Sequence, residues 1–264
     1  MFYFGISDIG KKRSQNQDSF SITPLEGALL CTVCDGMGGA LGGNVASELA
    51  DSVYTEHIQN AFAGQISHEG ETDRVGIRDI LCDAVSEANA AVSARAASDE
   101  SLHGMGTTLV SALFLGDTMY AVNVGDSRLY LIGSGGITQI THDHSYVQYL
   151  LDLGKITEEE AARAPMKNII TRSVGNEEEV TPDIFVQKLP ESGYVLLCSD
   201  GLTNFVPEPQ IQSIVTGFSD GTIDTPFSDP ESGREALRER VNRLVRLANE
   251  AGGGDNITAV LIKF

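Results

Sequence analysis

The hydrophobic period of this chain changes along its length, and those changes limit the fold more than any other feature. Near the start, Phe2, Phe4 and Ile6 alternate as in a strand, and residues 19–23 and 28–34 read as two more. Residues 44–62 then place Val45, Leu49, Val53 and Ile58 near helical spacing. Residues 73–97 put Ile77, Leu81, Val85, Ala88 and Val92 on one stripe, so two long helices are expected, joined by a polar loop at 64–72. From residue 107 the pattern turns strand-like. Residues 107–115, 118–124, 128–132 and 137–141 are short β-rich runs separated by Gly-Asp, Gly-Asp-Ser and Gly-Ser-Gly-Gly, which argues for antiparallel hairpins.

Residues 145–166 are mostly helical and acidic in pattern, and 180–189 and 194–199 read as strands. A short helix is expected at 208–216, a loop rich in Gly, Ser, Asp and Pro at 217–233, an amphipathic helix at 234–250 and a last strand at 256–263. The five arginines of the late helix alternate with glutamates, as on a solvated face. There is no internal repeat and no domain-scale linker. Strand groups flanked by helices predict an α+β chain with two mainly antiparallel sheets covered by helices, as one domain over residues 1–264.

Charge excludes one class of partner. A formal net charge of −19 repels phosphate backbones, so nucleic acid is not an expected ligand. Converging carboxylates that need cations would be one source of such an imbalance; solubility alone is the other. Among the four cysteines, Cys31 and Cys34 have knuckle spacing but lie on an apolar strand, where residues three apart face opposite ways. With no second Cys or His pair, Cys31, Cys34, Cys82 and Cys198 read as structural thiols, which suits a reducing cytoplasm. No signal-peptide pattern or membrane-length apolar run is present, so neither secretion nor membrane insertion is expected.

Five aspartates sit where strands begin or end: Asp18, Asp35, Asp126, Asp200 and Asp255, each near glycine or small polar residues. Singly, an Asp-Gly pair is an ordinary turn former. Repeated five times, the pattern allows the carboxylates to gather at one rim. There they would repel one another unless cations intervene, and hard oxygen donors favour magnesium or manganese over zinc.

The order of these motifs resembles the metal-dependent phosphatases of type 2C. Ser7-Asp8-Ile9-Gly10 with Arg13 and Asn16-Gln17-Asp18 is similar to that family's first motif, and Val33-Cys34-Asp35-Gly36-Met37-Gly38-Gly39 to its second. Gly106-Thr107-Thr108, Val124-Gly125-Asp126-Ser127-Arg128, and Thr141 with Asp143-His144-Ser145 follow in order. Leu153-Gly154, Ile156-Thr157 and Ile170-Thr171-Arg172 resemble the surroundings of the family's flap. Cys198-Ser199-Asp200-Gly201-Leu202 and Asp255-Asn256-Ile257-Thr258 complete the set, so the likeness runs from about Phe4 to Lys263.

The resemblance implies a four-layer α-β-β-α sandwich with two core Mn2+ or Mg2+ ions at one rim. Asp35 would bridge both ions and Gly36 would offer its carbonyl. Asp200 and Asp255 would bind the second ion, and Asp18 would act through water. Asp126 with Asp200 matches a weaker third site, and Arg13 matches the phosphate-binding arginine. The implied reaction is in-line attack of an activated water on phosphoserine or phosphothreonine in proteins, opposing a Ser/Thr kinase. Residues 145–167 would form the flap, and the protein would act as a cytoplasmic monomer. Asp35, Asp200 and Arg13 would carry the catalysis.

Three departures stand out. Met37 replaces a histidine proposed as proton donor in many eukaryotic members; Gln17 replaces a glutamate; Asn204 stands where some members have an extra aspartate. Met37 and Gln17 resemble the bacterial branch. A phosphoprotein-binding pseudophosphatase would normally have lost a core aspartate, and a purely structural metal site has no need of Arg13. Neither Cys34 nor Cys198 opens the arginine-ended loop of cysteine phosphatases. His142 and His144 read as support for the flap, and His57, His68 and His103 as surface residues.

Overall fold

In this computed structural model the described residues are all except 66–73, 134, 165, 167, 218–226 and 228. The chain opens with β1 (Phe2–Asp8), β2 (Asp18–Leu25) and β3 (Ala28–Met37), followed by helices α1 (Gly39–Gln65) and α2 (Arg74–Ser98). Strands β4 (Gly106–Thr107), β5 (Leu109–Leu115), β6 (Thr118–Val124), β7 (Arg128–Gly133) and β8 (Gly136–Gln139) come next. Two short helices follow, α3 (Tyr146–Asp152) and α4 (Glu158–Ala162), then β9 (Asp183–Lys188) and β10 (Tyr194–Cys198). The chain ends with α5 (Asp200–Thr203), α6 (Glu208–Thr216), α7 (Pro230–Glu250) and β11 (Ile257–Lys263).

The strands form two sheets. One runs β1-β11-β10-β7-β8, the other β2-β3-β5-β6-β9 with β4 on the end of β3, and every pairing is antiparallel. Side chains alternate faces along each strand, so each sheet feeds two cores. Leu30, Cys34, Leu109 and Leu113 pack against α1 and α2. Cys31, Val33, Val110, Ala112 and Phe114 point the other way and meet Val195, Leu197, Val260 and Ile262 of the facing sheet. On the far side Leu196, Cys198, Ala259 and Leu261 lie under α6 and α7. The layers are therefore α-β-β-α. Cys31 and Cys34 fall in different cores, as the strand reading required.

Several boundaries differ from the sequence reading. α7 begins four residues before the expected 234, because Asp229 caps it: its side chain accepts from the N–H groups of Glu231 and Ser232. Pro230 in the first turn gives up an N–H that has no helical partner there, so it starts the helix rather than belonging to the loop. α1 extends to Gln65, which shortens the expected loop, and the rest of that loop lies outside the described residues. Residues 145–166 form two short capped helices; Thr157 and Glu160 make a reciprocal capping box for α4.

The Gly-Asp-Ser turn is a larger correction. Gly116–Asp117 and the segment after Gly133 do close hairpins, β5–β6 and β7–β8. Gly125-Asp126-Ser127 does not: β6 pairs with β5 and β9, while β7 pairs with β10 and β8. The chain crosses from one sheet to the other there, and Asp126 rides the crossover. No described helix is long and apolar enough to cross a membrane.

Phe114 is 1% exposed between the two sheets. Phe114→Ala should therefore cost about 3–5 kcal/mol, read as a lowered midpoint in urea denaturation. A shift under about 1 kcal/mol would mean that the inter-sheet core does not bear on stability as its burial implies.

Candidate active site

Asp18 and Asp35 stand directly opposite each other in the β2–β3 ladder. Like charges in that relation repel, and the surrounding groups show how the pair is held. Asp18 Oδ2 accepts Ser199 Oγ at 2.7 Å and Thr258 Oγ1 at 2.6 Å, both from the opposite sheet's end. Asp18 Oδ1 is shut off from solvent and has no protein partner. Burial pushes the Asp18 carboxyl up to about 7, against the two hydroxyls that favour its charge; Asp200 and Asp255 add repulsion.

Asp35 lies within β3 rather than at its end. Its N–H donates to Thr108 Oγ1 at 2.9 Å, and its carbonyl accepts Thr107 Oγ1 and the Thr108 N–H, each at 2.9 Å. The two threonines thus fix the backbone from both sides. Burial holds the Asp35 carboxyl well above the ordinary range, and Asp18, Asp200, Asp126 and Asp255 reinforce it. At the neighbouring Gly36 a Cβ would lie 2.0 Å from Gly43 O and 2.6 Å from Gln17 O, so only glycine lets β3 pass between these backbones.

The crossover bearing Asp126 is pinned on both flanks. The Gly125 N–H donates to His144 Nδ1 at 3.0 Å, and the His144 N–H returns to Gly125 O at 2.9 Å. On the other flank the Ser127 and Thr108 hydroxyls pair at 2.8 Å. Thr108 therefore touches both Asp35 and the crossover. Burial, followed by repulsion from Asp200, pushes Asp126 up to about 8. Arg128 next door is held bidentately by Asp143, with its Nη2 2.7 Å from Asp143 Oδ2.

Asp200 opens α5, and its Oδ2 accepts Asn204 Nδ2 at 2.9 Å. Asp255 Oδ2 accepts Arg13 Nη2 at 2.7 Å. Asn256 laces the Arg13 loop: its Oδ1 accepts the Gln17 N–H, and its Nδ2 donates to the Ile9 and Gln15 carbonyls, all at 2.9 Å.

Arg13, Asp35, Gly36, Asp126, Asp200 and Asp255 line one cleft of about 400 Å³. Asp18, outside the lining, sits against Asp35. Met37 is in the lining, and among the described residues no histidine or cysteine is. His144 is a support for the crossover, His142 reaches Asp152 of α3, and His57 is paired with Glu87 rather than being a lone surface residue. His68 lies outside the described residues. Thr107, Thr108, Ser127, Ser199, Asn256 and Thr258 lie within the sequence motifs, but the motifs do not assign them these supporting bonds. The available signal was small hydroxyl and amide residues next to strand-end aspartates.

Residues 9–251 match the family described as Protein phosphatase 2C. The chain belongs to the protein phosphatase 2C family. This phosphatase is similar to the serine/threonine phosphatase stp of Listeria welshimeri, 35% identical over 97% of this chain and 93% of that one. It is also similar to the protein phosphatase PhpP of Streptococcus pneumoniae, 37% identical over 97% and 95%. Among solved structures it resembles the catalytic domain of the phosphatase PstP in complex with two manganese ions. The TM-score there is 0.76 and the identity 33%, over 98% of this chain and 96% of that one.

Enzymes of this family are metal-dependent, so the donor set must suit cations. Hard carboxylate oxygens without imidazole or thiolate suit magnesium or manganese. The buried, unpartnered Asp18 Oδ1 is an acceptor that a bound water would satisfy. Among the described residues no three Asp, Glu, His or Cys side chains close on a single point as they stand. Asp35, Asp126, Asp200 and Asp255 nevertheless converge on one cleft.

The raised pKa values give a testable sign. In metal-free protein the folded state holds protons on Asp18, Asp35 and Asp126 that the unfolded chain releases near pH 4. Their contribution to stability is full below that pH and is lost as pH rises through about 7 for Asp18 and about 8 for Asp126. The Tm of chelated protein should fall from about pH 5 to 8. Asp126→Asn should fall less steeply, and manganese should restore Tm mostly at the upper end. An unchanged slope in Asp126→Asn would contradict the burial argument.

Proposed function

We propose that the cleft at the sheet rim hydrolyses phosphoserine and phosphothreonine on proteins, with its aspartates holding the cations that the family requires. One observation carries this reading: four carboxylates and one guanidinium from separate segments line a single cleft, with a fifth carboxylate against them. Turn formation accounts for each Asp-Gly pair alone but not for their collection, and a structural metal site has no use for Arg13.

In this reading Asp35 and the Gly36 carbonyl would serve two Mn2+ or Mg2+ ions, and Asp200 and Asp255 would serve the second of them. Asp18 would act through water at its buried Oδ1. Asp126 with Asp200 would hold a weaker third ion. When bound, the cations lower the pKa of a water near neutral pH and offset charge on the phosphoryl group. Arg13 offers a planar fork to the phosphoryl oxygens, a geometry lysine lacks. Its hold on Asp255 keeps that fork at the cleft until a phosphate competes for it. Met37 carries no transferable proton, so the leaving serine or threonine oxygen takes its proton from water in the cleft. The wider reading is one phosphatase domain over residues 1–264, working as a cytoplasmic monomer against a Ser/Thr kinase. Residues 145–167 are its flap. Asn168 and Ile170, where that segment returns to the sheets, line the cleft, which supports the flap assignment.

Chelation should abolish hydrolysis of a phosphothreonine peptide, and manganese or magnesium should restore it; full activity in chelator refutes the mechanism. Asp35→Asn should lose nearly all turnover while keeping its circular dichroism spectrum, since it relieves charge repulsion in the cleft. Arg13→Ala should raise KM, and kcat should fall too if the fork engages the transition state. Unchanged kinetics would return Arg13 to the role of a loop residue.

Asp126→Ala at saturating manganese should impair phosphopeptide hydrolysis more than that of p-nitrophenyl phosphate, whose leaving group departs without a proton. Equal losses on the two substrates would remove Asp126 from proton delivery.

A further inference from the structure

Beside the catalytic cleft lies a second groove, most of whose lining has no part in the proposed reaction. The two share Asp126 and Asp200, so the groove begins where the cleft ends. Its walls come from the two short helices of the flap segment on one side and from α5 and α6 on the other. Val147, Leu151 and Pro207 give it apolar flanks. Asp143, deeper in, is neutralised by Arg128 in a bidentate pair.

Two further carboxylates line the groove without a cationic partner of the kind Arg128 gives Asp143. Glu158 opens α4 and Glu208 opens α6, and no side-chain hydrogen bond or ion pair among the described residues holds either, although Glu208 lies within electrostatic reach of Tyr130. Apolar walls with carboxylates beside them suit one kind of side chain. A long aliphatic stem would lie along the walls and its cationic head would reach Glu158 and Glu208, as arginine and lysine do at partly apolar surfaces. The field of a chain with net charge −19 favours the same sign of ligand.

We propose that this groove is a specificity subsite that takes an arginine or lysine near the phosphorylated residue of the substrate protein. The proposal rests on the phosphatase reading above. It adds a preference among phosphoproteins, set by Glu158 and Glu208 rather than by the aspartates of the cleft.

The test uses phosphothreonine peptides in which a single arginine is moved through the positions on either side of the phosphothreonine, with an all-alanine reference. In the wild-type enzyme with manganese, at least one arginine position should raise kcat/KM roughly tenfold over the reference. The double variant Glu158→Gln, Glu208→Gln should lose that advantage while hydrolysing p-nitrophenyl phosphate at the wild-type rate. The charge-reversed pair Glu158→Lys, Glu208→Lys should instead favour a glutamate at the same position. If no arginine position helps the wild type, or if the advantage survives in the double variant, the subsite is overturned. Hydrolysis of p-nitrophenyl phosphate by the wild type is the separate check on the phosphatase reading, because that substrate has no side chain to enter the groove.

Discussion

The site depends on a repulsion that the fold is built to hold. Asp18 and Asp35 face each other in register, and Asp126, Asp200 and Asp255 add to the same field. A sheet ladder would ordinarily avoid this pairing. It persists because one oxygen of Asp18 is tied across the sandwich to Ser199 and Thr258, while the two threonines at 107 and 108 fix the backbone of Asp35. Those ties do not remove the repulsion. They hold the carboxylates in place at the cleft.

The same ties explain why the two sheets must pack face to face. Asp18 belongs to one sheet, and its hydroxyl partners belong to the end of the other. Asn256 works in parallel, fastening the loop that carries Arg13. The inter-sheet core of Val33, Val110, Val195 and Val260 supplies the apolar burial that keeps the rims aligned. Packing and chemistry are thus coupled through a few hydroxyl and amide groups at the rim, each buried with a partner, as groups cut off from water require.

The aspartate-rich cleft and the groove beside it differ in charge environment. In the cleft the carboxylates are desolvated and repel one another. Along the groove Asp143 is cancelled by Arg128, and the carboxylates of Glu158 and Glu208 stand at helix starts. His144, read from the sequence as support for the flap, buttons the crossover to its neighbours. Its ring accepts from Gly125 and contacts Arg172 and Asp183, so its nitrogens are already engaged.

By itself the sequence determined the order and type of nearly every element, because hydrophobic period is a local property. It also named the five aspartates, Arg13 and Gly36, since strand-end motifs are short and contiguous. Helix ends were less legible: Pro230 looked like part of a loop until Asp229 was seen to cap a helix around it. Only the tertiary structure decided that Gly125-Asp126-Ser127 passes between sheets, because the same residues also suit a hairpin turn and the choice rests on which strands pair. Likewise, only the fold placed Asp18 opposite Asp35, brought Ser199 and Thr258 to Asp18, and brought Asn256 to the neighbouring Gln17, each across more than 180 residues of chain. Local pattern records what each segment can become. The pairing of distant strands determines which charges share a cleft.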